Sequence, residues 1–181
     1  MFVVDEPHTV RHPCGPPRSI PGRLSLTRTL MEIGGRGAAM VYVEEEEAYF
    51  DAPLDKIWRL LQAHSRESAK IHPQHTNQRG RQVGENVSEV SWEEEIFGQR
   101  AMTKRRLTMY PPLGWTAVVL EGPIVGSKYF VYYAPRGDRT AVFAVGDFRS
   151  PAFSDSNVEA AAKSYFDRTF REDTAYLRTL R

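Results

Sequence analysis

Residues 41–61 read VYVEEEEAYFDAPLDKIWRLL. The first ten, Val41 to Phe50, have the β-branched and aromatic content of a strand. Asp51-Ala52-Pro53 then turns the chain into a helix. Proline at a helix opening costs nothing, because its missing N–H would have no intrahelical acceptor there. Leu54, Ile57, Trp58, Leu60 and Leu61 follow on one apolar side. This helix is expected to end near His64, with a second short helix over Ser65 to Ala69. At the other end of the chain, Ser156 to Arg181 reads as one long amphipathic helix opened by a capping box, Ser156 with Glu159 three residues on. Its apolar face carries Val158, Ala161, Ala162, Tyr165, Phe166, Thr169, Phe170, Leu177 and Leu180. Two end elements that flank a sheet can enclose a ligand cavity instead of a solid core.

Everything between the helices has the period and punctuation of antiparallel strands. After Pro73 the polar run Gln74 to Arg81 begins the sheet. Gly84 to Tyr110 is expected to form a hairpin about a type II′ turn at Gly98-Gln99, which places Trp92 opposite Arg105, Val90 opposite Leu107, Glu93 opposite Lys104 and Ser91 opposite Arg106. One face of that hairpin is charged and complementary and the other mainly apolar. Pro111-Pro112-Leu113-Gly114 leads into Trp115 to Glu121, then Ser127 to Ala134, and Arg136-Gly137-Asp138 connects tightly to Thr140 through Arg149. The Arg-Gly-Asp triplet reads as that turn, since nothing else supports a cell-adhesion signal.

The chain has 181 residues, one cysteine and a formal charge of +1. A lone Cys14 excludes an internal disulfide and a multi-cysteine zinc cluster, and points to a reducing cytoplasm. The near-neutral charge gives no case for a nucleic-acid partner, and no apolar run is long enough for membrane insertion. Residues 1–39 hold five of the twelve prolines and five of the thirteen glycines. That stretch sustains no period, so it is expected to be a disordered or non-native N-terminal extension, with the folded domain over residues 40–181.

Ala52-Pro53 followed by Ile57-Trp58, within FDAPLDKIWRLL, is similar to the "AP…VW" opening of the SRPBCC superfamily, and the order of elements over residues 41–181 resembles it too. That superfamily includes START domains, the birch pollen allergen family and polyketide cyclase/dehydrases. The resemblance implies an α+β helix-grip fold, a curved antiparallel sheet wrapped around the long C-terminal helix. It also implies a cavity for lipids, hormones, quinones or polyketides. No catalytic motif is shared across the superfamily, so no active-site residue is carried over. The leading expectation is intracellular binding of a small hydrophobic molecule without a cofactor. The alternatives are a cyclase, aromatase or dehydratase in the same cavity, and a protein-interaction module of co-chaperone or ribosome-targeting type, which a filled core would favour.

Trp92, Leu107, Phe130, Tyr132, Phe143, Tyr165, Phe166 and Phe170 are the expected lining, with Arg105 orienting a polar end of the guest. Glu94 shares the inner face with Arg105, either as a proton carrier in the enzyme reading or as the other half of a structural ion pair. Glu44 to Glu47 alternate along their strand, so one carboxylate pair turns inward and needs a partner unless a rim or bulge keeps all four hydrated. His64, His72 and His75 are spaced unlike a helical ligand pair and lack an assured carboxylate. No metal is therefore expected, and the three are read as surface or loop histidines.

Overall fold

The computed structural model describes residues 41–180, with side chains from Ala48 onward. The expected extension at residues 1–39, Cys14 and the side chains of Glu44 to Glu47 lie outside that range. The elements are β1 (Val41–Phe50), α1 (Leu54–Ile71), β2 (Thr76–Gly84), β3 (Val87–Ile96), β4 (Gln99–Tyr110), β5 (Gly114–Glu121), β6 (Lys128–Arg136), β7 (Arg139–Phe148) and α2 (Asp155–Leu177). All strands join one seven-stranded sheet in the order β1-β7-β6-β5-β4-β3-β2, every pairing antiparallel. The sheet curves around α2, the helix-grip arrangement. Among the described residues no helix is long and apolar enough to cross a membrane.

β1 ends where Pro53 takes an extended conformation (φ −70°, ψ 158°) and caps α1. The buried Thr140 hydroxyl donates to the Ala52 carbonyl at 2.8 Å, tying this corner to β7. The register of β1 on β7 shifts between Glu45 and Ala48, so a backbone bulge interrupts the glutamate run. Residues 54–71 are two helical stretches run together across a kink at the non-helical Glu67 (φ −124°, ψ 18°), so the break falls a few residues after the expected His64. The stretch after the kink still packs inward, since Ser68 and Ile71 are buried along with Ile57 and Leu60.

The β3–β4 turn is Phe97-Gly98, one residue earlier than expected. Both residues have positive φ, 55° and 71°, the signature of a type I′ turn. Phe97 accepts a conformation costly for a non-glycine residue while its ring stacks on Phe153 at 3.8 Å between centroids. The partners move accordingly: Val90 faces Arg105, Trp92 faces Thr103 and Glu94 faces Ala101. A slip of two residues leaves each side chain on its face, so the division into charged and cavity sides survives. On the charged side Glu89 meets Arg106 at 2.8 Å and Arg81 at 2.9 Å. The Arg-Gly-Asp triplet forms a tight connection, with Arg136 paired to Arg139 across it.

α2 opens two residues earlier than the capping box requires. Ser154 is the N-cap, without a side-chain cap bond, and the Glu159 carboxylate instead accepts from Lys163 at 2.6 Å. Asp155 supplies negative charge to the first turn. The helix ends at Leu177, not Arg181, and buries Val158, Ala162, Phe166 and Leu177.

Candidate ligand cavity

Alternation along the strands builds the concave wall. It carries Val90 and Trp92 from β3, Arg105, Leu107 and Met109 from β4, Trp115 from β5, Tyr129, Val131 and Tyr133 from β6, and Val142 and Ala144 from β7. Tyr165, Phe166, Thr169, Phe170 and Asp173 of α2 close one side and α1 another, around a cavity of about 970 Å³. That is the upper end of the roughly 300–1,000 Å³ common for small-molecule sites.

Arg105 and Glu94 are each 1% exposed. Isolated, either charge would be prohibitively costly to bury. The Arg105 Nη2–H donates to Glu94 Oε1 at 2.9 Å. Its Nη1 donates to the hydroxyls of Tyr129 (2.6 Å) and Tyr165 (2.7 Å), and the guanidinium lies 4.7 Å from the Trp92 ring centroid and 4.5 Å from that of Tyr165. Trp92 is therefore diagonal to Arg105, not across from it, yet it still packs on the cation. The second Glu94 oxygen receives Arg168 at 3.3 Å and stands 3.5 Å from His75 Nε2. Burial pushes the Glu94 carboxyl up, but the His75 contact and the Arg105 charge outweigh it and hold it below the usual range. Burial raises Tyr165 well above an ordinary phenol despite the arginine. Arg105 Nε and Trp92 Nε1 are buried donors with no partner among the described residues, and both residues line the cavity.

A second polar group lies between α1 and α2. His72 and His75 do lie in the connection from α1 to β2, but they are not surface groups: each is 5% exposed, and with His64 of α1 they line the cavity. The His64 Nδ1–H donates to the Leu60 carbonyl at 2.8 Å, and that of His72 to Glu172 at 2.7 Å. Gln74 also donates to Glu172, at 2.8 Å. The two Nε2 atoms meet at 3.0 Å, with Asp173 Oδ1 3.1 Å from one and 3.7 Å from the other. Burial opposes charge on His64, but its hydrogen bond to Asp173 and the Asp173 charge raise its pKa. Burial lowers that of His72, against the pull of Asp173. His75 stacks on Trp92 at 4.6 Å and joins this group to the arginine.

Of the residues expected to form the site, Trp92, Arg105, Leu107, Tyr165, Phe166 and Phe170 lie along the cavity. Glu94 sits behind Arg105, outside the lining. Phe130, Tyr132 and Phe143 are corrections: they stand on the outer face, where Tyr132 is paired directly with Phe143 and the ring centroids are 6.2 Å apart. Their neighbours Tyr129, Val131, Tyr133, Val142 and Ala144 take the inner positions. Lys128 to Arg136 reads KYFVYYAPR, aromatic on both faces, so alternation alone does not say which side is inside. Asp173 was overlooked as well; only its place one turn beyond Thr169 and Phe170 on the helix face marks it.

Sheet, grip and internal cavity define a helix-grip protein. No protein-family model and no curated protein matches the sequence, but solved structures do. The aromatase/cyclase Zhui from Streptomyces sp. R1128 superposes with a TM-score of 0.63 at 19% identity, over 77% of this chain and 94% of that one. Ara h 8.0201 gives 0.61 at 11% identity, over 78% of this chain and 100% of that one. Norcoclaurine synthase from Thalictrum flavum, in complex with dopamine and hydroxybenzaldehyde, gives 0.57 at 11% identity, over 83% of this chain and 97% of that one. The chain shares the helix-grip fold of these structures; at these identities the likeness speaks for the fold alone.

Proposed function

We propose that the protein binds a small hydrophobic molecule, with one oxygen-bearing end, between the sheet and α2. The observation that carries this reading is that Arg105 Nε and Trp92 Nε1, buried donors with no partner among the described residues, line a cavity whose concave wall is largely aromatic and aliphatic. A buried donor left unpaired costs about 1–3 kcal/mol, and a guest carbonyl or carboxylate would relieve that cost. The aromatic guests of the norcoclaurine synthase complex support a guest of similar size. The lone cysteine supports a cytoplasmic setting.

The cyclase-type reading is favoured by the likeness to the Zhui aromatase/cyclase and by Tyr165, whose hydroxyl accepts from Arg105 at the cavity wall. In that reading Arg105 and Tyr165 polarise a carbonyl, and Glu94 holds Arg105 in place, since both of its oxygens are engaged behind the wall. Native mass spectrometry of freshly purified protein tests binding directly, with saturable fluorescence of anilinonaphthalene sulfonate as the second readout. A co-purified small molecule or a saturable single-site response is expected. Neither appearing would overturn the proposal.

A further inference from the structure

We infer that His64, His72 and Asp173 form a binding site for a divalent transition-metal ion of the zinc or ferrous class, opening on the cavity. Both histidines have committed Nδ1–H to an acceptor, the Leu60 carbonyl and the Glu172 carboxylate. As a neutral imidazole each therefore presents the lone pair of Nε2, and the two nitrogens converge at 3.0 Å. Asp173 Oδ1 completes the triangle at 3.1 and 3.7 Å. Two lone pairs and an anionic oxygen repel one another unless a cation or a shared proton lies between them.

The spacing suits a metal. Atoms so separated lie on a circle of radius about 1.9 Å, so an ion at the roughly 2.0–2.2 Å zinc bond length to nitrogen or carboxylate oxygen sits just off their plane. Two imidazoles and one carboxylate are the donor set of catalytic zinc and non-haem ferrous sites, which keep further positions open. The Glu172 contact on His72 Nδ1 is the outer carboxylate that fixes a ligating histidine's tautomer. Gln74 in turn holds Glu172 through both carboxylate oxygens, at 2.8 and 2.9 Å. All three ligand residues line the cavity, so positions that the protein leaves open are available to a guest oxygen or to water. The sequence shows the histidines but not the carboxylate that completes the set, because Asp173 comes from α2, about 100 residues further along the chain.

The test uses the full chain, stripped with chelator and titrated separately with zinc, with cobalt(II) as a spectroscopic stand-in, and anaerobically with ferrous iron. One equivalent of ion is expected to bind, with visible cobalt bands that zinc abolishes. His64→Gln and Asp173→Asn should each lose the cobalt spectrum, and Glu172→Gln should weaken binding by about 10–100-fold. Circular dichroism identifies any variant that does not fold, and the remaining two then decide. No saturable uptake of any of the three ions, or uptake unchanged in the folded variants, would overturn the inference and leave a shared proton as the occupant of the triangle.

Discussion

Replacing Arg105 by methionine removes the cation that makes the burial of Glu94 tolerable. The carboxylate is 1% exposed, and with the 2.9 Å partner gone it keeps only Arg168 at 3.3 Å and His75 at 3.5 Å. Breaking a buried pair from one side costs about 3–5 kcal/mol. At roughly 2–4 °C per kcal/mol for a chain of this size, Tm should fall by about 10 °C. Removing both partners in Arg105→Met/Glu94→Leu strands no such charge, since Arg168 is 27% exposed and can turn to water. The double variant should therefore regain at least about 2 kcal/mol over the single one, the remaining deficit coming from the Tyr129 and Tyr165 hydroxyls. Acidity supplies a second check. In the wild type the carboxyl is held below the usual range, so its stabilising contribution is present above the unfolded value near 4.5 and fades as pH falls. In Arg105→Met burial dominates, and protonation relieves the strain. The gap between the two proteins must shrink from pH 7 toward pH 4. Urea and thermal unfolding followed by tryptophan fluorescence measure all of these. A double variant no more stable than Arg105→Met, at neutral pH, would refute the ion-pair reasoning.

Ala144→Phe projects a ring from β7 into the cavity; it should reduce anilinonaphthalene sulfonate binding at least about tenfold while costing less than the roughly 1–3 kcal/mol of overpacking a solid core, and unchanged dye affinity would count against a cavity there. Gly146→Ala would bring a Cβ within 2.4 Å of the Tyr129 Cβ and 2.6 Å of the Lys128 carbonyl, so thermal denaturation should show a loss of about 1–3 kcal/mol. Gly98→Ala, in open space at φ +71°, should cost only about 1 kcal/mol of left-handed strain; equal losses would contradict the close approach of β6 and β7. Arg106 and Arg81 hold the Glu89 carboxyl down to about 2. Glu89→Gln should therefore be less stable than the wild type above pH 4.5, and the difference should vanish as pH falls through 2; a difference that persists in acid, followed by circular dichroism, would show that the hydrogen bonds and not the charge matter.

Residues 41–61 and 156–180 determine the grip by themselves: a strand, a proline-opened helix and a terminal amphipathic helix leave the intervening strands one way to cover an apolar face. Periodicity of two also settled which side of β3 and β4 faces inward, because Val90, Trp92, Leu107 and Met109 alternate with Glu89, Glu93, Arg106 and Thr108, which leaves Arg105 and Glu94 as charged residues on the apolar side. The exact pairing was decided by Phe97, whose positive φ is sustained by its stack on Phe153, a contact with a residue far along the chain. β6 is aromatic on both faces, so only its place between β5 and β7 selected Tyr129 and Tyr133 over Phe130 and Tyr132. The histidine group shows the same limit, since His72 and Glu172 meet across a separation of 100 residues. Local pattern encodes which face of an element is apolar; only packing one element on another brings together polar atoms that no sequence spacing connects.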